Sequence, residues 1–216
     1  TDLILRISVM APGFLLAISF HEYAHAWSAN RFGDPTARLS GRLTLNPGAH
    51  YDLFGTIILP LALAAMNLGI FGYAKPVPVD PRHFKDYRKS VFWVSFAGPL
   101  ANVVLMVVSA LFLAILVSKI SPSFFLFKEF QQMLVWSVYI NIFLAVFNLI
   151  PFPPLDGSRM LSSFLSYEAQ RKFEGLQNYS FLFFIILWTT NVFSYLLVPA
   201  QKVAWGMVGF FVWVLN

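Results

Sequence analysis

The sequence has no cysteine and little charge: of 216 residues, 12% are charged, against 58% hydrophobic and 18% aromatic. The missing thiols exclude disulfides, thiolate metal sites and a cysteine nucleophile, so any metal has to be held by imidazoles and carboxylates. The charged share is roughly half that of an ordinary soluble domain, which excludes a water-soluble globule. Lys and Arg number 15 and Asp and Glu 10, for a net charge of +5. The basic residues lie between apolar blocks and form no continuous stripe, which argues against nucleic acid as a partner. There is no convincing repeat and no low-complexity tail, and the length suits one domain over residues 1–216. The first apolar run continues from Ile7 past signal-peptide length into His21 and Glu22, and reads as a retained membrane helix.

What is present is a series of long apolar blocks. Cutting the chain at its charges leaves 7–30, 53–74, 90–118, 130–155 and 175–201, each close to the roughly 20 residues a helix needs to cross a bilayer. The stretch 203–216 is too short to span, and Trp205 and Trp213 suggest a place at the interface. The block 53–74 carries Pro60, Asn67, Gly69 and Gly72, and either spans once or dips in and returns. If it returns, Arg31, Arg38, Arg42, Lys75, Arg82, Lys85, Arg88, Lys89, Arg159, Arg171 and Lys172 share one face, 11 of the 15 basic residues, and that face is cytoplasmic. The returning path is the expectation. Residues 36–45 alternate around Ser40-Gly41, which predicts a hairpin on the cytoplasmic side. Residues 73–80 read as extended: Pro76 and Pro78 remove donors from one edge, while Lys75, Val77 and Val79 keep theirs on the other, left free to pair. The expected fold class is therefore all-α polytopic membrane protein, with about four spanning helices, a re-entrant hydrophobic segment and a small cytoplasmic-side β-hairpin and strand region.

The chemistry concentrates at His21-Glu22-Tyr23-Ala24-His25, an HExxH pentad. On a helix, both imidazoles share one face and can share a tetrahedral metal, with the glutamate placed for a water. Ionisable groups inside a spanning helix are costly to bury and mark function, although polar residues also bond neighbouring helices. Two histidines leave the metal short of a third protein ligand. Asp156 is the carboxylate that fits, in Asn148-Leu149-Ile150-Pro151-Phe152-Pro153-Pro154-Leu155-Asp156-Gly157, where prolines break the helix and irregular backbone lines a site. The other reading is that Asp156 only caps the helix starting at Gly157.

With these motifs and Phe96-Ala97-Gly98-Pro99-Leu100-Ala101-Asn102 between them, the chain resembles the site-2 protease family of intramembrane zinc metalloproteases over nearly its whole length. It is most similar to the small bacterial branch that has HExxH in its first helix and no PDZ or CBS modules, and it departs from the better-known members in lacking a helix before HExxH and in adding the block 53–74. The resemblance implies that His21, His25 and Asp156 bind one zinc ion, that Glu22 is the general base, and that Asn148 helps stabilise the oxyanion. It also implies cleavage within or next to the transmembrane segments of single-span membrane proteins, an anti-sigma factor being one analogy, with the bacterial inner membrane as location and the site opening toward the cytoplasm. Val77 and Val79 are expected to bind substrate by adding it to the strand edge. His50 and Asp52 either orient a ligand or touch substrate, or only bond at the interface. Asn102 either bonds across helices beside the site or contacts substrate. His83, among Arg82, Lys85 and Asp86, reads as solvated. The rival functions are a zincin acting on peptides at the membrane surface and a zinc transporter or metal scaffold without hydrolysis. The sequence does not specify an oligomeric state.

Overall fold

The computed structural model describes residues 2–66 and 72–216, so Asn67 and Gly69 lie outside the described residues. Helix α1 (Asp2–Arg31) is followed by the short helices α2 (Thr36–Leu39) and α3 (Pro47–His50). A π-helical turn at Leu53–Ile58 leads into α4 (Leu59–Ala65). After the extended segment 73–80 come a 3-10 turn at Pro81–His83 and the long helices α5 (Tyr87–Lys119) and α6 (Phe127–Asn148). The chain ends in α7 (Asp156–Ser162), α8 (Tyr167–Glu174), a 3-10 turn (Gly175–Tyr179), α9 (Ser180–Thr189) and α10 (Val192–Leu215). Helices α1, α5, α6 and α10 are long and apolar enough to cross a membrane, so the chain is a multi-pass membrane protein.

Each long helix begins or stops for a local reason. The Asp86 side chain accepts from Lys89 N and caps α5. Helix α6 stops at Asn148 because Pro151, Pro153 and Pro154 cannot continue its ladder. Small residues let the helices approach: Ala110 and Ala204 are fully buried in a cluster with Met106, Val138 and Ile142, which seats α10 on α5 and α6. A second cluster, Phe14, Ala17, Ile18, Ile140 and Leu144, packs α1 on α6. The polar groups of the site are carried on this three-helix contact of α1, α5 and α6, together with Asp156 at the start of α7.

Three expectations need correction. Residues 36–45 form no hairpin. They contain the helical turn α2, ended by Gly41 at φ +69°, with Gly41 N donating to Arg38 O and Arg42 N to Ala37 O. This is a helix C-terminal motif, and the glycine that resembled a hairpin turn is the left-handed residue that closes it. Among the described residues there is no strand at all.

The second correction concerns the last span. The block 175–201 does not cross as one helix, because Asn191 takes a left-handed conformation at φ 53° and separates α9 from α10. Asparagine tolerates that conformation. The stretch 203–216 is the second half of α10, the fourth long apolar helix. Cutting the sequence at Lys202 hid this, since one lysine fits within a spanning helix by turning its charge outward along the stem.

The third concerns 73–80, which is extended, but two of the three expected donors, Lys75 N and Val77 N, are already taken. Tyr73 N donates to Gly55 O at 3.0 Å, Lys75 N to His50 O at 2.9 Å and Val77 N to a Glu22 carboxylate oxygen at 2.8 Å. The excursion that leaves at Gly55 thus returns to the same residue at Tyr73, and Thr56 Oγ1 donates to Tyr73 O at 2.9 Å as a second tie.

Candidate metal centre

His21 and His25 are one helical turn apart on α1, and their Nε2 atoms lie 3.0 Å from each other. Asp156, the first residue of α7, brings its Oδ2 to 3.1 Å from His21 Nε2 and 3.3 Å from His25 Nε2. Close backbone approach makes this possible. A Cβ on Gly98 of α5 would sit 2.3 Å from His25 Nε2, and one on Gly157 would sit 2.2 Å from Leu149 O. Only glycine lets α5 pass against the imidazoles and α7 fold back onto the broken end of α6.

The outer nitrogens decide what the inner ones offer. His25 Nδ1 bonds Val94 O at 2.7 Å; a carbonyl only accepts, so Nδ1 carries a proton, and in the neutral imidazole Nε2 then carries a lone pair. His21 Nδ1 bonds Asn102 Oδ1 at 2.7 Å. The Asn102 Nδ2 donates to Ala17 O at 3.1 Å, so its oxygen is the atom turned to His21, which again places the proton on Nδ1. With both imidazoles neutral, as a metal requires, two lone pairs and a carboxylate oxygen face one another inside the protein, an arrangement that repels itself unless a cation lies between them. A tetrahedral zinc with bonds of about 2.0–2.1 Å spaces its ligands by about 3.3 Å, so this donor set fits zinc.

Glu22 is buried beside the pair, and its carboxylate accepts the Val77 N–H. Val77 and Val79 pack with Ala26 of α1 and Ala37 of α2, which holds the extended segment across the end of α1. Further along, Asp80 N donates to Asp34 at 2.7 Å, and Asp34, fully buried, also accepts from Thr36 N at 2.9 Å and lies 3.3 Å from His83 Nδ1. His83 is therefore tied to this anchor and not merely solvated. Arg82, bonded to Asp80 by its guanidinium and its own N–H, holds the Asp80 carboxyl down at about 2. On the other side, Arg42 donates to Lys75 O.

The remaining expected residues are placed as follows. Asn148, at the end of α6, is partly buried and donates from Nδ2 to Leu144 O at 3.0 Å. Asn102 and His50 have no exposed surface with which to meet a substrate, both being 0% exposed. Asn102 stands behind His21. His50 bonds Thr44 O at 2.7 Å through Nε2 and supports Lys75 from below. Asp52 caps the π-helical turn by accepting from Gly55 N at 2.7 Å. Three functional groups escaped the sequence reading: the Val94 carbonyl, which has no sequence signal; Asp34, whose signal was an Asp-Pro-Thr step directly after α1; and Asn141, a lone amide within an apolar helix.

The model of Peptidase family M50 matches residues 9–188. Among curated proteins, "Putative zinc metalloprotease YwhC" of Bacillus subtilis is 36% identical over 187 residues, covering 86% of this chain and 82% of its own length. "Putative zinc metalloprotease Rip2" of Mycolicibacterium smegmatis is 32% identical, covering 84% and 67%. "Putative zinc metalloprotease MJ0611" of Methanocaldococcus jannaschii is 29% identical, covering 73% and 69%. No solved structure gives a significant match.

Proposed function

The chain belongs to peptidase family M50 and is a membrane metalloprotease, and from that premise we propose that it is a zinc endopeptidase that cuts single-span membrane proteins within or next to their transmembrane segments. The observation that carries the proposal is the meeting of His21 Nε2, His25 Nε2 and Asp156 Oδ2 at 3.0–3.3 Å beside Glu22 on a membrane-length helix. His21, His25 and Asp156 would hold the zinc ion, which supplies Lewis-acid polarisation of water and of a peptide carbonyl.

The chain's own residues do the rest. The Val77 N–H occupies one oxygen of Glu22 and fixes the carboxylate plane, leaving the other oxygen to take the proton of the attacking water. The water oxygen bonds to the scissile carbonyl carbon. Glu22 then hands the proton to the amine as the C–N bond breaks. Asn148 Nδ2 spends one hydrogen on Leu144 O and has a second for the oxygen that gains negative charge. The bilayer location supports cleavage of membrane-anchored chains, because the site lies among helices that themselves belong in lipid.

The charge pattern supports an active site that opens to the cytoplasm. With α1, α5, α6 and α10 as the spans and the excursion at 53–73 returning to its start, the 11 basic residues named above still lie on one face, the face of His25 and Asp156. A bacterial inner membrane suits that arrangement.

The test is cleavage of a single-span model substrate in detergent by the native chain and by Glu22→Gln, with bound zinc counted in both. The expected result is a cut within the span by the native chain, and a variant that keeps zinc without cutting. Cutting by both would move the general base elsewhere. Zinc in both with no cut in any of a panel of spans would favour the metal scaffold.

A further inference from the structure

Asn141, in the middle of α6, is fully buried, and its side-chain bonds go to Asn102 and to Ser137. We propose that Asn141 is a positioning residue for the metal centre: it fixes, through Asn102, the tautomer in which His21 presents Nε2 as a lone pair. The proposal rests on the reading of His21 as a metal ligand.

The direction of each bond follows from what its acceptor can do. Asn141 Nδ2 lies 2.9 Å from Ser137 O, which only accepts, so the Asn141 oxygen is turned toward Asn102. That oxygen takes one hydrogen of Asn102 Nδ2 at 3.0 Å, and Ala17 O takes the other at 3.1 Å. With both hydrogens placed, Asn102 has only Oδ1 for His21, at 2.7 Å. Three donors in a row thus run one way, from His21 on α1 through Asn102 on α5 and Asn141 on α6 to the α6 backbone. Turning either amide over would set oxygen against oxygen or N–H against N–H in a fully buried place. Aligned bonds polarise one another, and an acceptor on the outer nitrogen raises the basicity of a ligating imidazole. His25 achieves the same state with Val94 O alone, so only His21 depends on a distant side chain.

Asn141→Leu keeps the approximate volume and removes the oxygen. Asn102 then loses one of two acceptors and is freer to turn its NH2 toward His21, which moves the imidazole proton to Nε2, where it blocks the metal. Asn141→Asp should rescue: a carboxyl buried among helices is driven to its neutral form, whose C=O accepts from Asn102 and whose O–H donates to Ser137 O. Ser109→Ala is the packing control, since it breaks only the 2.8 Å bond between Ser109 and Ser137 on the same α5–α6 contact.

The experiment uses the full chain in detergent, with zinc affinity read by competition against a chromophoric chelator and the imidazole 15N spectrum taken on metal-free protein. In Asn141→Leu, zinc binding should weaken about 10–100-fold, and the His21 spectrum should gain a form protonated at Nε2. Asn141→Asp and Ser109→Ala should keep affinity close to native. Asn141→Ala carries the same test if the leucine does not pack. Native affinity with one Nδ1-protonated tautomer in the Leu or Ala variant overturns the proposal, and so does equal weakening in all the variants, Ser109→Ala included. A native chain that binds no zinc would sink the metal-centre reading itself, a result separate from anything an Asn141 variant does.

Discussion

Two halves of the site are built in opposite ways. The helical half, α1, α5, α6 and α7, presents mainly side chains: His21, His25 and Asp156 converge, with Asn102 and one backbone carbonyl, Val94 O, behind the imidazoles. In the extended half, from Tyr73 to Asp80, the backbone itself makes the contacts, with Lys75 N on His50, Val77 N on Glu22 and Asp80 N on Asp34. A helix cannot release one ligand without disturbing a whole packed interface. The strap from Tyr73 to Asp80 is held instead by separate hydrogen bonds to loops and side chains and by the packing of Val77 against Ala26 and Ala37. On the proposed function the difference implies a division of labour: the helices would hold the metal, and the strap would orient Glu22 through the Val77 N–H.

The sharpest way to break the helical half is Gly98→Ala. Its Cβ would fall 2.3 Å from His25 Nε2, while the Val94 bond leaves the ring little room to withdraw. Zinc affinity should drop by about 100-fold or more, measured by chelator competition, with cleavage lost alongside. Val77→Pro attacks the other half by removing the N–H that orients Glu22. Turnover should fall about 100-fold, read as substrate cut per unit time, while the zinc content stays native.

Asp34→Ala acts further along the strap and leaves Asp80 N and Thr36 N without their acceptor in a fully buried place. It should cost about 1–3 kcal/mol in a denaturation experiment and again spare the zinc. Arg82→Ala should do least. Arg82 is 88% exposed, and exposed ion pairs contribute little, so the melting temperature at neutral pH should fall only slightly. The Asp80 carboxyl, no longer held at about 2, should climb toward the ordinary carboxylate range in an NMR titration. Because the native value is the depressed one, whatever Asp80 contributes to stability is present above the ordinary carboxylate range and lost as pH falls through about 2.

The helical half was legible in one dimension, and the strap largely was not. HExxH announces itself because four-residue spacing stacks two imidazoles on a helix and because charge is costly in an apolar run. Asp156 was legible because prolines and a glycine around a lone acid mark broken backbone. The donor pattern around Pro76 and Pro78 was also readable, but the acceptor of Val77 N lies 55 residues away in Glu22, and no local rule links them. The alternation at 38–45 fits a strand as well as a capped helical turn, and only the left-handed Gly41 distinguishes the two. Asn141 shows the same limit from within a helix: an uncharged amide signals that it needs a partner but not which one.

The division between the two halves is tested most directly by measuring zinc content and cleavage together in Val77→Pro, with Asp156→Asn beside it. The account predicts a native complement of zinc with lost cleavage in Val77→Pro, and loss of both in Asp156→Asn. Zinc lost from Val77→Pro, or cleavage kept by it, would contradict the separation of metal holding from the orientation of Glu22.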